Sequence, residues 1–468
     1  MNLVLIGIII YIVFQLLVGF IVSRSIHTEN DYLLAGRKLG YILATFSIFA
    51  TWFGAESCIG TAGAAYENGL AGVTADPFGY GVCLILMGLF FAIPLWKMKI
   101  TTIADFFRIR FSARTEQLTA LLMIPTSLLW AAAQIRAFGQ VLAASSELSV
   151  TITVTVAAAV VITYTYSGGM WADAITDIVQ GVILVAGLLI LFVFVVGDLG
   201  SFSRFIDFIP AEKLSFVSSS GWSGPNTLHF MEAWAIPICG SIIAQELVSR
   251  VISSKSPTVA RRSSLIAAAL YLLVGLIPLT MGLVGSNLVP GLEHPEQVLP
   301  LMAQRHLSSF MYVLFAGALV SAILSTVDST LLAASGLLFH NVVFPLSRRL
   351  DESAKVRFER LGVVLLGLFA YIIALYAEGV YNLVKDASSF GSAGIFVVFV
   401  LGMYTKFGTA RNALAALLTG AAVWLISHYG FAFSYSYLLA LSASLLAYVL
   451  MFFAPFPAQT EWSSPDQA

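Results

Sequence analysis

The chain has 468 residues, 59% hydrophobic and 10% charged, with a formal net charge of -1 and a mean hydropathy of +0.91. Soluble globular chains carry about 25% charged residues, so a water-soluble fold is excluded, and the lack of a basic excess sets nucleic-acid binding aside. Cys58, Cys83 and Cys239 show no CxxC or metal-type spacing, so neither a disulfide framework nor a zinc site is expected.

Apolar stretches of about 20 residues, enough to cross a hydrocarbon core, predict an all-α membrane protein with thirteen transmembrane helices. The first, 3–22, lacks a basic leader and a cleavage site and reads as a retained helix. The next five fall at 40–67, 75–96, 116–145, 149–167 and 174–198. A connection over 199–228, broken by Pro, Ser and Gly, precedes 229–250, 261–286, 305–340, 358–377 and 380–404. The last two are 410–428 and 433–454. The domain division is a first helix and linker (1–30), a five-helix repeat (31–200), a second repeat (229–405), and two C-terminal helices with a short tail (406–468). Five is odd, so the second repeat runs inverted, with the binding site expected beside broken helices at the midplane.

Lys and Arg gather after the odd-numbered spans: Arg24, Arg37 and Lys38; Lys97, Lys99, Arg108, Arg110 and Arg114; Arg250, Lys255, Arg261 and Arg262; Arg348, Arg349, Lys355, Arg357 and Arg360; Lys406 and Arg411. The opposite loops carry few, chiefly Arg204 and Lys213. The positive-inside rule then predicts an outer N-terminus and a cytoplasmic C-terminus in the plasma (inner) membrane.

The second span contains ATWFGAESCIGTAG, with Gly54, Gly60 and Gly63 around the ionisable Glu56. A charge at that depth costs about 3 kcal/mol and needs compensation. Glycines there permit unwinding that exposes carbonyls to a cation, or simply close helix packing. In the ninth span Ser321, Ser325, Asp328, Ser329 and Ser335 cluster, with Ser325, Asp328 and Ser329 on one face. Such hard oxygens suit Na⁺ or a proton; the alternative for the serines is bonding back to their own helix.

Both stretches resemble the ion-binding helices of the solute:sodium symporter family, whose fold is the LeuT type of inverted repeat, and the likeness covers roughly residues 30–430. The resemblance implies a sodium site from the carbonyls of Ala50, Phe53 and Ala322 and the hydroxyls of Ser325 and Thr326. It implies a second cation site at Asp177, Asp328 and Ser329, with Ser325 beside them; an N-terminal helix charge is the other reading of Asp177.

Within the family, LLWAAAQIRAFGQ, TYSGGMWADAITDIVQ and LSTVDSTLLAAS are similar to the choline-transporting branch. That likeness implies an aromatic cage for an ammonium group, with Trp52 and Trp130 as walls and Tyr80 nearby. Ala244 stands where a cage tryptophan is expected and Glu56 where the branch has glycine, so Glu56 and Gln245 join the substrate-binding candidates and make the pocket more polar. Arg136, in the fourth span, needs a carboxylate or carbonyls, with Glu56, Asp76 and Glu246 as candidates. Trp96, Trp171, Trp234 and Trp424 read as interfacial anchors.

The expected function is a sodium-coupled secondary active transporter importing a small organic solute, an ammonium-bearing one such as choline or an amino acid. Na⁺ is the coupling ion, no organic cofactor or catalytic residue is expected, and the partners are solute, ion and lipid bilayer, with no obligatory protein partner. The alternatives are a monocarboxylate or sugar symporter, or a transporter-like sensor acting with a separate partner.

Overall fold

A computed structural model describes residues 3–23, 26–144, 146, 148–216, 224–347, 350–377 and 379–453. Arg24, Arg348 and Arg349 of the charge pattern lie outside the described residues, as do part of the 199–228 connection (217–223) and the tail from 454. Among the described residues the fold is helical, with one isolated bridge between Leu39 and Ser254.

Among the described residues eight helices are long and apolar enough to cross a membrane, and three sharply bent pairs raise this to as many as eleven, where thirteen were expected. Where two further spans were expected, the helix Leu3–Ser23 covers the first, 3–22, and Val150–Tyr166 is a shorter apolar stretch at the fifth. The first bent pair is α1 (Tyr41–Trp52) with α2 (Glu56–Gly72), meeting at 58°. After it come two separate helices, α3 (Thr74–Met98) and α4 (Ala113–Ala144). The expected fifth and sixth spans are joined as α5 (Val150–Asp198), broken inside at Gly169 by a left-handed φ of 63°. Only glycine holds that conformation without strain, and a Cβ there would also fall 2.6 Å from the Tyr32 ring.

The second bent pair is α6 (Asn226–Gly240) with α7 (Gln245–Ile252), at 43°. After it come α8 (Pro257–Leu288), α9 (Val298–His306), α10 (Ser309–Leu338) and α11 (Glu352–Tyr376). The third bent pair, Leu383–Ser389 with Ser392–Tyr404, meets at 41°.

Helix α10 is the axis of the molecule. Every residue from Phe315 to Leu337 is buried, the pattern of a helix enclosed on all sides by other helices. Its serines and Asp328 therefore face protein, and their polar atoms must find partners there. The two broken pairs are tied at one end: the Leu39 N–H donates to the Ser253 carbonyl at 3.1 Å, and the Lys255 N–H to the Leu39 carbonyl at 2.9 Å.

Candidate functional site

The break in the first pair starts at Phe53, where φ is -96° and ψ is 72°. A helical ψ lies near -42°, so this value swings the Phe53 carbonyl off the helix axis. Opposite the break, the Ser325 hydroxyl donates to the carbonyls of Ala50 at 2.7 Å and Ala322 at 3.0 Å. The Thr326 hydroxyl donates to Thr51 at 3.0 Å and Ala322 at 3.1 Å. Ala50, Ala322, Ser325 and Thr326 thus converge as an oxygen cluster between α1 and α10, with Phe53 at its edge. Hydroxyl hydrogens rotate freely, so the same oxygens can turn toward a small hard cation.

Gly54 allows this approach. A Cβ on it would lie 2.8 Å from Thr326 Oγ1 and 2.6 Å from Glu56 Oε2, so the Thr326 hydroxyl and the Glu56 carboxylate both crowd the space a side chain there would take.

One turn along α10 lies a cluster of carboxylates. Asp177 Oδ2 accepts from the Ser47 hydroxyl at 2.7 Å, and Asp328 Oδ1 accepts from the Ser329 N–H at 2.8 Å. The Ser329 hydroxyl donates to the Ser325 carbonyl at 2.6 Å and to Asp173 Oδ2 at 3.3 Å. It also contacts Thr51 Oγ1 at 3.1 Å. The Arg250 guanidinium hydrogen-bonds both Asp173 and Ser329.

Three findings correct the sequence reading here. Arg250, counted among the cytoplasmic loop charges, is completely buried in α7 and paired with Asp173. Asp177 lies eight residues beyond the break at Gly169, too far for the terminal-turn dipole to explain it. Asp173, one turn before Asp177, belongs to the cluster. Asp173 Oδ1 and Asp177 Oδ1 have no hydrogen-bond partner, so a cluster of three carboxylates, of which Asp173 alone pairs with Arg250, has acceptor capacity left over.

On the other side of the break is a cavity of about 420 Å³, lined by Glu56, Asp76, Tyr80, His229 and Lys385 among others. Gln134 fixes Glu56: its Nε2 donates to Glu56 Oε2 at 2.6 Å while its Oε1 accepts from the Ala55 N–H at 3.0 Å. Asp76 Oδ2 accepts from Ser57 at 2.6 Å and Tyr271 at 2.8 Å. Glu56 Oε1 and Asp76 Oδ1 are buried without a partner. Two carboxylate oxygens left unpaired on one cavity wall call for a cationic donor.

Trp52, Tyr80 and Trp130 do come together, but as a packed group. Trp52 and Trp130 stack at 5.4 Å between centroids and 15° between planes, and Tyr80 lies 6.3 Å from Trp52 and 6.0 Å from Trp130. Stacked indoles leave no room for a cation between their faces; of the three, Tyr80 lines the cavity. Gln245 is directed elsewhere, its Oε1 accepting from the Ile103 N–H at 2.8 Å. Arg136 takes none of the three expected carboxylates and donates instead to the carbonyls of Ala374 at 3.1 Å and Leu375 at 3.4 Å.

The profile of the Sodium:solute symporter family matches residues 32–420. The chain belongs to this family. It is 28% identical over 444 residues to the high affinity choline transporter 1 of Homo sapiens, covering 89% of this chain and 75% of that one. It is 24% identical over 426 residues to the sodium/pantothenate symporter of Escherichia coli (strain K12), covering 89% and 88%. Among solved structures, it matches a Na⁺-coupled sialic acid symporter in a substrate-bound outward-open state with a TM-score of 0.84, at 20% identity and 97% coverage of both chains. The nucleobase-cation-symport-1 transporter Mhp1, closed around bromovinylhydantoin, matches with a TM-score of 0.62 at 15% identity, over 90% of this chain and 94% of that one.

As a sodium:solute symporter with the LeuT-type fold, the chain is a multi-pass membrane transporter and not an enzyme, with Na⁺ as coupling ion for a small solute. For such a symporter, sequence reasoning passed over Asp173, Arg250 and Gln134, and gave Asp76 only as a partner for Arg136. Asp173 carries a readable signal, since it precedes Asp177 by one helical turn in an apolar segment. Asp76 carries the same signal as Glu56, a carboxylate inside an apolar stretch.

Proposed function

We propose that this symporter couples Na⁺ entry to uptake of an ammonium-bearing solute held at Glu56 and Asp76, with the N-terminus outside and the C-terminus cytoplasmic. The observation that carries the reading is the pair of unpartnered, buried oxygens, Glu56 Oε1 and Asp76 Oδ1, on residues of one cavity wall. An ammonium with N–H donors satisfies both their charge and their hydrogen-bonding capacity, whereas a monocarboxylate meets two like charges. A quaternary ammonium neutralises charge but donates nothing. With Trp52 and Trp130 closed on each other, a protonated amine such as an amino acid or amino alcohol is favoured over choline.

The coupling route in this reading runs through Gly54. Na⁺ at Ala50, Phe53, Ala322, Ser325 and Thr326 fixes the end of α1 against α10. That holds Gly54 and Glu56 in position for the solute, and solute binding then favours closure of the two five-helix repeats around the site. A second cation at Asp177, Asp328 and Ser329 balances the excess carboxylates. A crevice of about 10 Å³ lined by Thr165, Gly169, Asp173 and Asp328 borders that cluster at the break in α5, space for about one water-sized sphere.

Ethanolamine and choline share a skeleton and differ in N–H donors, so they make the deciding comparison. In Na⁺-dependent thermal stabilisation and proteoliposome uptake, ethanolamine or an amino acid should exceed choline, and Glu56→Gln should weaken it by roughly tenfold or more. A response to choline alone would overturn the donor argument. A response to monocarboxylates or sugars alone would overturn the ammonium reading.

A further inference from the structure

A second cavity, of about 520 Å³, lies between α4, α9 and α10, apart from the one that holds Glu56. Its polar wall includes Arg136, Gln140 and Gln304, and its apolar wall Ile59, Phe315 and Leu319. Arg136 is half-buried there. Its Nη1 reaches two backbone carbonyls at the end of α11, its Nε is buried without a partner, and no ion pair to it is present among the described residues. Carbonyl dipoles orient a guanidinium but do not neutralise it, and a half-buried cation with no ion pair among the described residues attracts an anion. Glu296 and His294 also line the cavity, yet neither forms an ion pair with Arg136 among the described residues.

We propose that this cavity is an accessory binding site for a small amphiphilic carboxylate. The carboxylate pairs with Arg136, assisted by Gln140, and the hydrocarbon part lies against Phe315, Leu319 and Ile59. The fork of donors on arginine suits a carboxylate's two oxygens, and a cavity of this size with one charged end and apolar walls has the composition of a ligand pocket.

The site shares walls with the solute cavity. Glu56 and Ile59 stand on the same π-helical turn, Glu56–Gly60, one bordering each cavity. Gln134, which fixes Glu56, and Arg136 are two residues apart on α4. An occupant therefore presses on the moving half of the broken first pair and adjusts the solute site without entering it.

The test uses the full chain in lipid nanodiscs, with hexanoate, its neutral analogue hexanamide, and oleate supplied in the bilayer. Hexanoate or oleate should raise Tm by about 2 °C at saturation, hexanamide should not, and ethanolamine directed to Glu56 and Asp76 should not compete. A hexanoate response assigns a water-borne ligand and an oleate response a bilayer-borne one. Arg136→Gln should abolish the shift, and Leu319→Trp, which fills the cavity while keeping the charge, should abolish it as well. An equal shift with hexanamide, a shift that persists in both variants, or no shift with either acid would overturn the site. Because ethanolamine binding is read separately, failure here leaves the solute assignment standing.

Discussion

At the scale of single residues, the proposed ion site depends on two hydroxyls whose oxygens lie within hydrogen-bonding distance of the carbonyls a cation would share. Ser325 bridges Ala50 and Ala322, and Thr326 bridges Thr51 and Ala322. Removing either hydroxyl takes one oxygen from the proposed cation site and removes a hydrogen bond to the Ala50 or Thr51 carbonyl. Ser325→Ala and Thr326→Ala should each raise the Na⁺ concentration for half-maximal stabilisation by roughly tenfold, with little change in the order of preferred solutes; unaltered Na⁺ titrations in both would remove the site. The Arg250–Asp173 pair obeys a different balance. Truncating one partner leaves a buried charge, so Arg250→Met should destabilise by about 3–5 kcal/mol. The double variant Arg250→Met with Asp173→Leu should recover most of that loss in thermal denaturation, whereas equal destabilisation by single and double variants would show the pair to be incidental.

At the scale of elements, the decisive feature is the interruption of α1. Its continuation is bent by 58°, and Gly54 sits in the gap against Thr326 and the Glu56 carboxylate. A methyl group there must push one of them away, an overpacking cost of roughly 1–3 kcal/mol. Gly54→Ala should therefore weaken Na⁺ and solute binding together, a joint loss that isothermal titration of each ligand can detect. Loss of only one would mean that the two sites do not communicate through this residue. Neighbouring elements also correct simple expectations. Trp424, expected as an interfacial anchor, is only 2% exposed and packs between Phe390 and His428.

At the scale of the whole molecule, transport requires that ion and solute sites be made by the same moving parts. The proposed ion site uses α1 before the first break and the proposed solute site uses Glu56 just after it, so in that reading loading one reshapes the other through the break. Each Na⁺ entering down a membrane potential supplies about 2.3 kcal/mol per 100 mV. Proteoliposomes with an inward Na⁺ gradient and an inside-negative potential should accumulate solute above its external concentration. Collapse of the Na⁺ gradient should abolish accumulation; solute uptake that persists without Na⁺ would remove sodium coupling from the mechanism.

The sequence alone determined the class. A low charge fraction and long apolar runs leave lipid as the only compatible solvent, and small polar residues inside two of those runs mark a helix that breaks and the unbroken helix that faces the break. It also placed Ala50, Phe53, Ala322, Ser325 and Thr326 as ion-site candidates by resemblance, because those residues lie within two short contiguous segments. Only the tertiary structure decided what depends on partners far apart in the chain. Arg250 at the end of the seventh span reads as a loop charge until Asp173, 77 residues earlier, is seen against it. Trp52 and Trp130 read as a cage until their rings are found stacked. Gln245 reads as a pocket residue until its side chain is found on the Ile103 N–H. Composition and local spacing record which solvent a helix faces, but the direction of a buried side chain is set by whichever complementary group the fold brings within hydrogen-bonding distance.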